Sequence, residues 1–397
     1  MFRIALVIGL LGAVGPFAID MYLPALPAVA ADLGASTQAV QLTLTAYFIA
    51  FGVSQLVYGP LSDQMGRRPP LLIGLGIFLA GTLGCALAPD IGTLTAARFL
   101  QGLGGATVMV IPRAIIRDLH TGPEATRLMA MVMLVISVSP MLAPLAGSAV
   151  MALADWRAIF GVLALAACVS LALTVFALPE TLAPADRKPA RPAALARGAL
   201  RLLRSRDFMG LTLVGGFGMA SFFVFLASAS FVYTEAFGLT PTGFSLAFAV
   251  NALGFFAASQ AAASLGARFG MGRVVSVAVT GFAACATALL LLTLAGFGSL
   301  PVIVAMLFLA NAFLGLVIPS TMVMALDPHP DIAGLASSLG GTLQMLAGAL
   351  MIALAGPFFD GTPLPMVAAI ALCAAIALAA AVATLRGRPL GARPAAG

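Results

Sequence analysis

The stretch "GPLSDQMGRRPP", Gly59 to Pro70, sets an acid and two adjacent arginines among glycines and prolines, between two long apolar runs. It stands out because only 9% of the 397 residues are charged and 61% are hydrophobic. The apolar residues come in runs of roughly 18–25 rather than in amphipathic stripes, long enough for a helix to cross a bilayer. A polar loop of this kind is therefore a connection between membrane spans, and the chain is polytopic.

Breaks at Pro, Gly and charge clusters place helices at about 4–26, 38–59, 70–88, 91–114, 124–150, 155–178, 207–234, 241–263, 272–296, 300–325, 332–356 and 363–385. The predicted fold is all-α, with twelve transmembrane helices in two six-helix bundles. The first run has no small-residue cleavage site and reads as a retained span. So little chain precedes it that a few further native residues are expected ahead of it. Net charge is +6, but the basic residues lie in short connections rather than on one face. Arg3, Arg67, Arg68, Arg113, Arg117, Arg127, Arg268, Arg273 and the cluster from Arg187 to Arg206 fall on one side, against Arg157 on the other. Such asymmetry puts both termini in the cytoplasm and argues against a nucleic-acid partner.

The longest connection, 179–206, divides the chain into an N-terminal bundle, 1–178, and a C-terminal bundle, 207–397. Its second part, "ALARGALRLLRSR", is basic and partly amphipathic, as expected of a segment lying along the anionic inner leaflet. About 200 residues after the opening stretch, "LGARFGMGR" at 265–273 echoes it, with Leu265 and Gly270 matching Leu61 and Gly66 while Ala267 replaces Asp63. One intact and one decayed loop copy point to an internally duplicated transporter.

Gly59, Leu61, Asp63, Gly66, Arg67 and Arg68 match the G-x-L-x-D-x-x-G-R-R loop of the major facilitator superfamily, which the chain resembles. Within it, "DMYLPALP" at 20–27, "RFLQGLGGA" at 98–106, "PRAIIRDL" at 112–119, "SPMLAPLAG" at 139–147, "WRAIF" at 156–160 and "LPETL" at 178–182 resemble the Bcr/CflA group of drug efflux transporters. The match is continuous over the N-terminal half and more diffuse after it, where "GMASFFVF" and "GFSLAFA" are the best pieces. The resemblance implies proton-coupled export of small chloramphenicol-, florfenicol- or bicyclomycin-like drugs from a bacterial inner membrane, by a monomer. No cofactor beyond the proton gradient is expected.

Asp20 is the one acid well inside an apolar run, ~24 Å along a helix counted from Ile4. A bare carboxylate there costs ~2.5–3.5 kcal/mol on insertion scales, so it should face the bundle interior or a watery cavity. A group so placed can take a proton from one side and release it on the other; the plainer alternative is a cap on the helix broken before Pro24 and Pro27. Arg98 lies at comparable depth in span four and needs a partner, for which Asp20 is the intramembrane candidate. Pairing with the Asp20 anion is one reading, and snorkelling to the outer surface is the other. The nearby run Gly102, Gly104, Gly105, Ala106 would let span four approach a neighbour closely.

In the opening loop, Gly59-Pro60 would turn the chain out of span two and Arg67 and Arg68 would anchor span three at the headgroups. Asp63 is placed to pair with Arg67 or with Arg113, Arg117 and Asp118. A latch that opens and closes with the transport cycle is what the resemblance implies, and a solvated topological turn is the alternative. Pro140, Pro144 and Gly147 should bend span five. The resemblance gives that segment a part in sealing the periplasmic side, although Ser139 or Ala143 stands where the superfamily places glycine. Candidate drug contacts are Tyr47, Gln55, Gln101, Met109, Phe222, Phe223, Phe225, Asn251, Asn311 and Gln344, aromatic, thioether and amide groups suited to uncharged or mildly amphipathic ligands.

Lys188 is the sole lysine, so no phosphate-binding G-x-x-x-x-G-K-[ST] loop exists in the chain. His120 and His329 are apart from each other and from Cys85, Cys168, Cys285 and Cys373, which argues against a metal site. No nucleophile stands with a base in any loop, so an enzyme is not expected. The leading reading is a proton-driven exporter of small drugs; an uptake symporter for a metabolite is the alternative, and a non-transporting receptor would leave Asp20 without purpose.

Overall fold

The computed structural model describes residues 2–119, 122–187, 189 and 192–386. His120, Lys188, Arg191 and the tail beyond Arg386 lie outside the described residues, as do the side chains of Arg3, Arg117 and Arg127. The helices are α1 (Phe2–Asp20), α2 (Leu26–Asp32), α3 (Thr37–Met65), α4 (Arg68–Ala86), α5 (Ile91–Gly105), α6 (Thr107–Leu119), α7 (Gly122–Leu153), α8 (Arg157–Phe176), α9 (Pro192–Arg204), α10 (Arg206–Glu235), α11 (Pro241–Phe269), α12 (Met271–Leu294), α13 (Leu300–Leu326), α14 (Ala333–Ala355) and α15 (Leu364–Leu385). Helices are the form in which an open chain can satisfy its backbone hydrogen bonds within hydrocarbon. Eleven described segments are long and apolar enough to cross a membrane. The remaining expected span falls on α7, whose described apolar part is Val138–Leu153.

Two compact units form. The first comprises Met1–Pro192 with Thr240–Leu246, and the second Ala193–Leu239 with Ala247–Gly397. The connection 179–206 is thus divided: residues around Glu180 pack with the first unit, whereas α9 belongs to the second.

Local chemistry sets the helix ends. Ser36 caps α3 through the amide of Ala39 at 3.2 Å, Asp90 caps α5 through Thr93 at 2.9 Å, and Ser205 caps α10 through Phe208 at 3.3 Å. The first expected span is not one continuous helix. Pro24 and Pro27 carry no N–H, so α1 ends at Asp20 and a short 3-10 turn, Leu23–Ala25, precedes α2. The fourth span divides likewise at Ala106, directly after Gly104 and Gly105. By contrast, α7 remains one helix through Pro140 and Pro144.

Gly66, with φ +94°, ends α3, and Gly270, with φ +86°, stands between α11 and α12. The repeat seen in the sequence is therefore a repeated left-handed glycine turn. Around it the chemistry has changed. Where Arg67 donates to Ser62 at 3.0 Å in the first copy, the Met271 thioether lies over Gly266 in the second, whose absent side chain leaves it room.

Within the first unit, α5 is wedged against α3 and α4 by glycines. A side chain at Gly102 would collide with the Tyr47 carbonyl, and one at Gly104 with the backbone of Gly74 and Phe78. Because backbone rather than a movable side chain is in the way, Gly102→Ala should destabilise the purified protein by roughly 1–3 kcal/mol, read as a lowered melting temperature in detergent.

Candidate functional site

At the Gly66 end of the first unit the charged residues form one cluster. The Arg67 guanidinium donates from Nε and Nη2 to the two carboxylate oxygens of Asp118, at 2.7 and 3.1 Å, a bidentate pair. Its Nη1 reaches both Ser62 Oγ, at 3.0 Å, and Asp63. Thr181 Oγ1 donates to Asp118 at 3.2 Å. Arg67 is 6% exposed, so it does not anchor the loop at the headgroups as the sequence suggested. Arg68 instead donates from Nη2 to the carbonyl of Val175 at 2.8 Å, one of the carbonyls left over in the last turn of α8. Gly59 lies within α3, which runs on through Pro60 to Met65; the sharp turn comes at Gly66 and not at Gly59-Pro60. Arg113 is half-buried and makes no hydrogen bond or ion pair with a described residue; the Arg117 side chain lies outside those described.

The residue that completes this cluster, Glu180, was visible in the sequence only as part of "LPETL". Its carboxylate accepts the backbone N–H groups of Arg67 and Arg68, at 2.8 and 3.1 Å, across the start of α4, and those of Thr181 and Leu182 at 3.0 and 3.1 Å. Gly66 has a second reason to be glycine here: a Cβ on it would lie 2.6 Å from Glu180 Oε2. Partial burial pushes the Glu180 carboxyl up, but the amides of Arg67, Leu182, Arg68 and Thr181 outweigh it and hold the group below the usual carboxylate range.

Deeper in the same unit, Arg98 is fully buried. It donates from Nη1 to the carbonyl of Ala18, at 2.9 Å, and to Gln101 Oε1. Gln101 Nε2 passes the network on to Thr82 Oγ1 at 2.8 Å. The guanidinium carbon stands 4.5 Å from the ring centre of Tyr47 and 4.8 Å from that of Tyr22, two cation–π contacts. Tyr22 is held by Thr43 Oγ1 at 3.2 Å. Arg98 therefore does not form the expected ion pair with Asp20: Nη1 alone donates, to a helix-end carbonyl and an amide, while Nε and Nη2 lie buried without a hydrogen-bond partner, beside the Tyr22 and Tyr47 rings. Nor does it snorkel. Asp20, 5% exposed at the last residue of α1, makes no ion pair or hydrogen bond with a described residue and caps neither broken helix. Gly147 sets α7 against this break, since a side chain on it would run into the Met21 carbonyl. Pro144 lends its own carbonyl to Ser245 Oγ at 2.9 Å, and Pro140 is half-buried.

The proposed drug contacts separate. Gln101 and Tyr47 are enclosed around Arg98, Tyr47 stacking on Phe51, rather than lining open space. Gln55 and Met109 are half-buried in the first unit. In the second, Phe222 stacks on Phe255 and Phe225 on Phe248, with ring centres 5.7 and 5.5 Å apart; both α11 partners escaped the sequence reading because single phenylalanines in apolar runs carry no signal. Phe223 is buried. Asn251 Nδ2 donates to the carbonyl of Ala247 at 3.0 Å while its Oδ1, like Asn311 Nδ2, is buried without a hydrogen-bond partner. Gln344 lines a separate cavity with Phe208, Thr212, Thr321 and Ser337. A further cluster missed in the sequence joins Asp32 to Trp156 Nε1 at 3.0 Å and to Arg157 Nη1 at 2.6 Å.

The Major Facilitator Superfamily model matches residues 8–352. The chain belongs to that superfamily. It is 37% identical over 367 residues to the uncharacterized MFS-type transporter YdgK of Bacillus subtilis (strain 168), covering 92% of this chain and 91% of the relative. The bicyclomycin resistance protein homolog of Haemophilus influenzae is 30% identical over 94% of this chain and 93% of its own. Multidrug resistance protein D of Escherichia coli (strain K12) is 32% identical over 89% and 88%. These relatives bear out the Bcr/CflA-type resemblance. A solved D-xylose-proton symporter aligns with a TM-score of 0.75 at 17% identity, covering 98% of both chains, which shows the shared major facilitator fold. The protein is a multi-pass membrane transporter for a small molecule, embedded in a lipid bilayer.

Glu180→Gln should lower the melting temperature near neutral pH, because an amide cannot accept N–H groups on both terminal atoms. Since the folded carboxyl titrates below its unfolded value of about 4.3, its contribution is fully present above that pH and lost as pH falls through the lower folded value. A pH series of melting curves in detergent should therefore show the gap between variant and wild type closing only in acid; a gap independent of pH would contradict the charged-cap account.

Proposed function

We propose that this protein is a proton-coupled exporter of small antibiotics that works by alternating access in the bacterial inner membrane, as a monomer with both termini in the cytoplasm. The observation that carries the reading is Asp20, a buried carboxylate without an ionic partner at a helix break. An acid so placed can exchange a proton without first breaking a salt bridge. Arg98 fixes the break itself, holding the Ala18 carbonyl two residues before Asp20. Names of relatives support the choice of cargo: bicyclomycin resistance protein homolog, chloramphenicol resistance protein and multidrug resistance protein D. The half-buried pair Phe222 and Phe255, backed by the buried stack of Phe225 on Phe248 and with the unpaired amide atoms of Asn251 and Asn311, suits an uncharged, mildly amphipathic ligand. The Arg67–Asp118–Asp63 cluster acts as the cytoplasmic latch, closed by pairs that separate when the transporter changes state. The energy source is the proton gradient, and no other cofactor is required.

The test is proton release from purified protein on adding chloramphenicol or bicyclomycin. Wild type should release protons, and Asp20→Asn should release at least tenfold less while keeping its melting temperature within a few degrees. Undiminished release from the variant would remove Asp20 from the coupling. Drug accumulation driven inward by an imposed proton gradient would instead establish uptake symport.

A further inference from the structure

Helix α9, outside the transport machinery proposed above, carries three distinct faces. Leu195, Gly198, Ala199 and Leu202 follow the helical repeat on one side, which docks on the second unit. Leu202 is completely buried there, and a side chain at Gly198 would meet Leu335 Cδ2 at 2.7 Å. Arg201 Nη1 adds a 2.7 Å ion pair to Asp331, in the turn ahead of α14. The docked face already accounts for the apolar character needed to hold α9 in place.

A second apolar stripe, Ala193, Ala196, Leu200 and Leu203, lies well round the helix from the first and is open, with Leu200 47% and Leu203 44% exposed. Next to it runs a third face of exposed arginines, Arg197, Arg201 and Arg204. Only Ser205 separates α9 from α10, a membrane-crossing helix, so this end of α9 is held where the chain meets the bilayer. Two exposed leucines beside a row of cations at that depth match an interfacial helix, apolar edge in the acyl boundary and cations among phosphates.

We propose that α9 is a docking site for anionic phospholipid, with Leu200 and Leu203 inserted at the acyl boundary and Arg197 and Arg204 holding headgroup phosphates. Arg201 is shared between the same surface and Asp331, so lipid bound along the row bears directly on the contact that fastens the linker helix to the second unit. The stripe and the charges together commit the surface to lipid rather than to a soluble acidic protein, which would gain nothing from leucines at the membrane boundary.

The test uses the full chain in nanodiscs, with Cys168→Ala and Cys285→Ala so that a polarity-sensitive fluorophore on Leu200→Cys is the accessible label. Discs of phosphatidylcholine, with or without about one third phosphatidylglycerol, carry a shallow doxyl-lipid quencher. Quenching should be at least twofold stronger with phosphatidylglycerol, and Arg197→Gln with Arg204→Gln should remove that increment. Arg197→Lys with Arg204→Lys should retain it, which separates charge from folding. The proposal is overturned by a label quenched by aqueous iodide and untouched by doxyl lipid, by equal quenching in both lipids, or by a glutamine variant that keeps the phosphatidylglycerol response. Both faces of a nanodisc have the same lipid, so no outcome depends on orientation, and with neither drug nor proton gradient in the assay none depends on drug export.

Discussion

A fully buried guanidinium fixes the interior of the first unit. Arg98 cannot shed its charge, so the bundle must bring acceptors and ring faces to it. The principal acceptor, the Ala18 carbonyl, is available because prolines stop α1 at Asp20 and leave the carbonyls of its last turn without their usual donors. A cation at that end also complements the helix dipole. Gln101, steadied by Thr82, adds a second acceptor to Nη1, and the ring faces of Tyr22 and Tyr47 cover the guanidinium, whose Nε and Nη2 have no hydrogen-bond partner. Breaking α1 and burying Arg98 are thus two halves of one arrangement, and Asp20 is placed by it without being paired within it.

The other charged centre works on the opposite principle. Around Arg67 the pairs are direct, bidentate to Asp118 and single to Asp63, with Asp63 the more exposed partner. Of these pairs only Arg67–Asp63 has a well-exposed member; Arg67 itself is enclosed, so parting it from Asp118 calls for another acceptor, as parting Arg98 from its contacts would. Glu180 belongs to neither type. It holds the turn at Gly66 through backbone amides rather than through a side-chain ion pair.

The two halves show how one duplicated turn diverges. Gly66 and Gly270 keep the same left-handed backbone because the geometry between two antiparallel helices demands it. The side chains around them are free of that demand, and Met271 over Gly266 packs by contact where Arg67 and Ser62 pair by hydrogen bonding. The backbone of the turn is structural in both copies, and the charged cluster was kept in one.

By itself the sequence determined the span count, the pseudo-repeat, the family and the residues of interest, because hydrophobic run length and loop motifs are local properties of the chain. Asp20, Arg98, Asp63, Arg67 and Asp118 were all legible as charges in unusual places. Their partners were not. That Arg98 binds Ala18 and not Asp20, that Glu180 caps α4 across 113 residues of chain, and that Asp32 meets Trp156 and Arg157 were decided by tertiary structure. A backbone acceptor has no sequence signature, and a carbonyl becomes available only when a helix ends in the right place beside the right neighbour. The phenylalanines show the same limit: their composition promised an apolar site, but only the packing of α10 against α11 selected Phe248 and Phe255 to join Phe222 and Phe225.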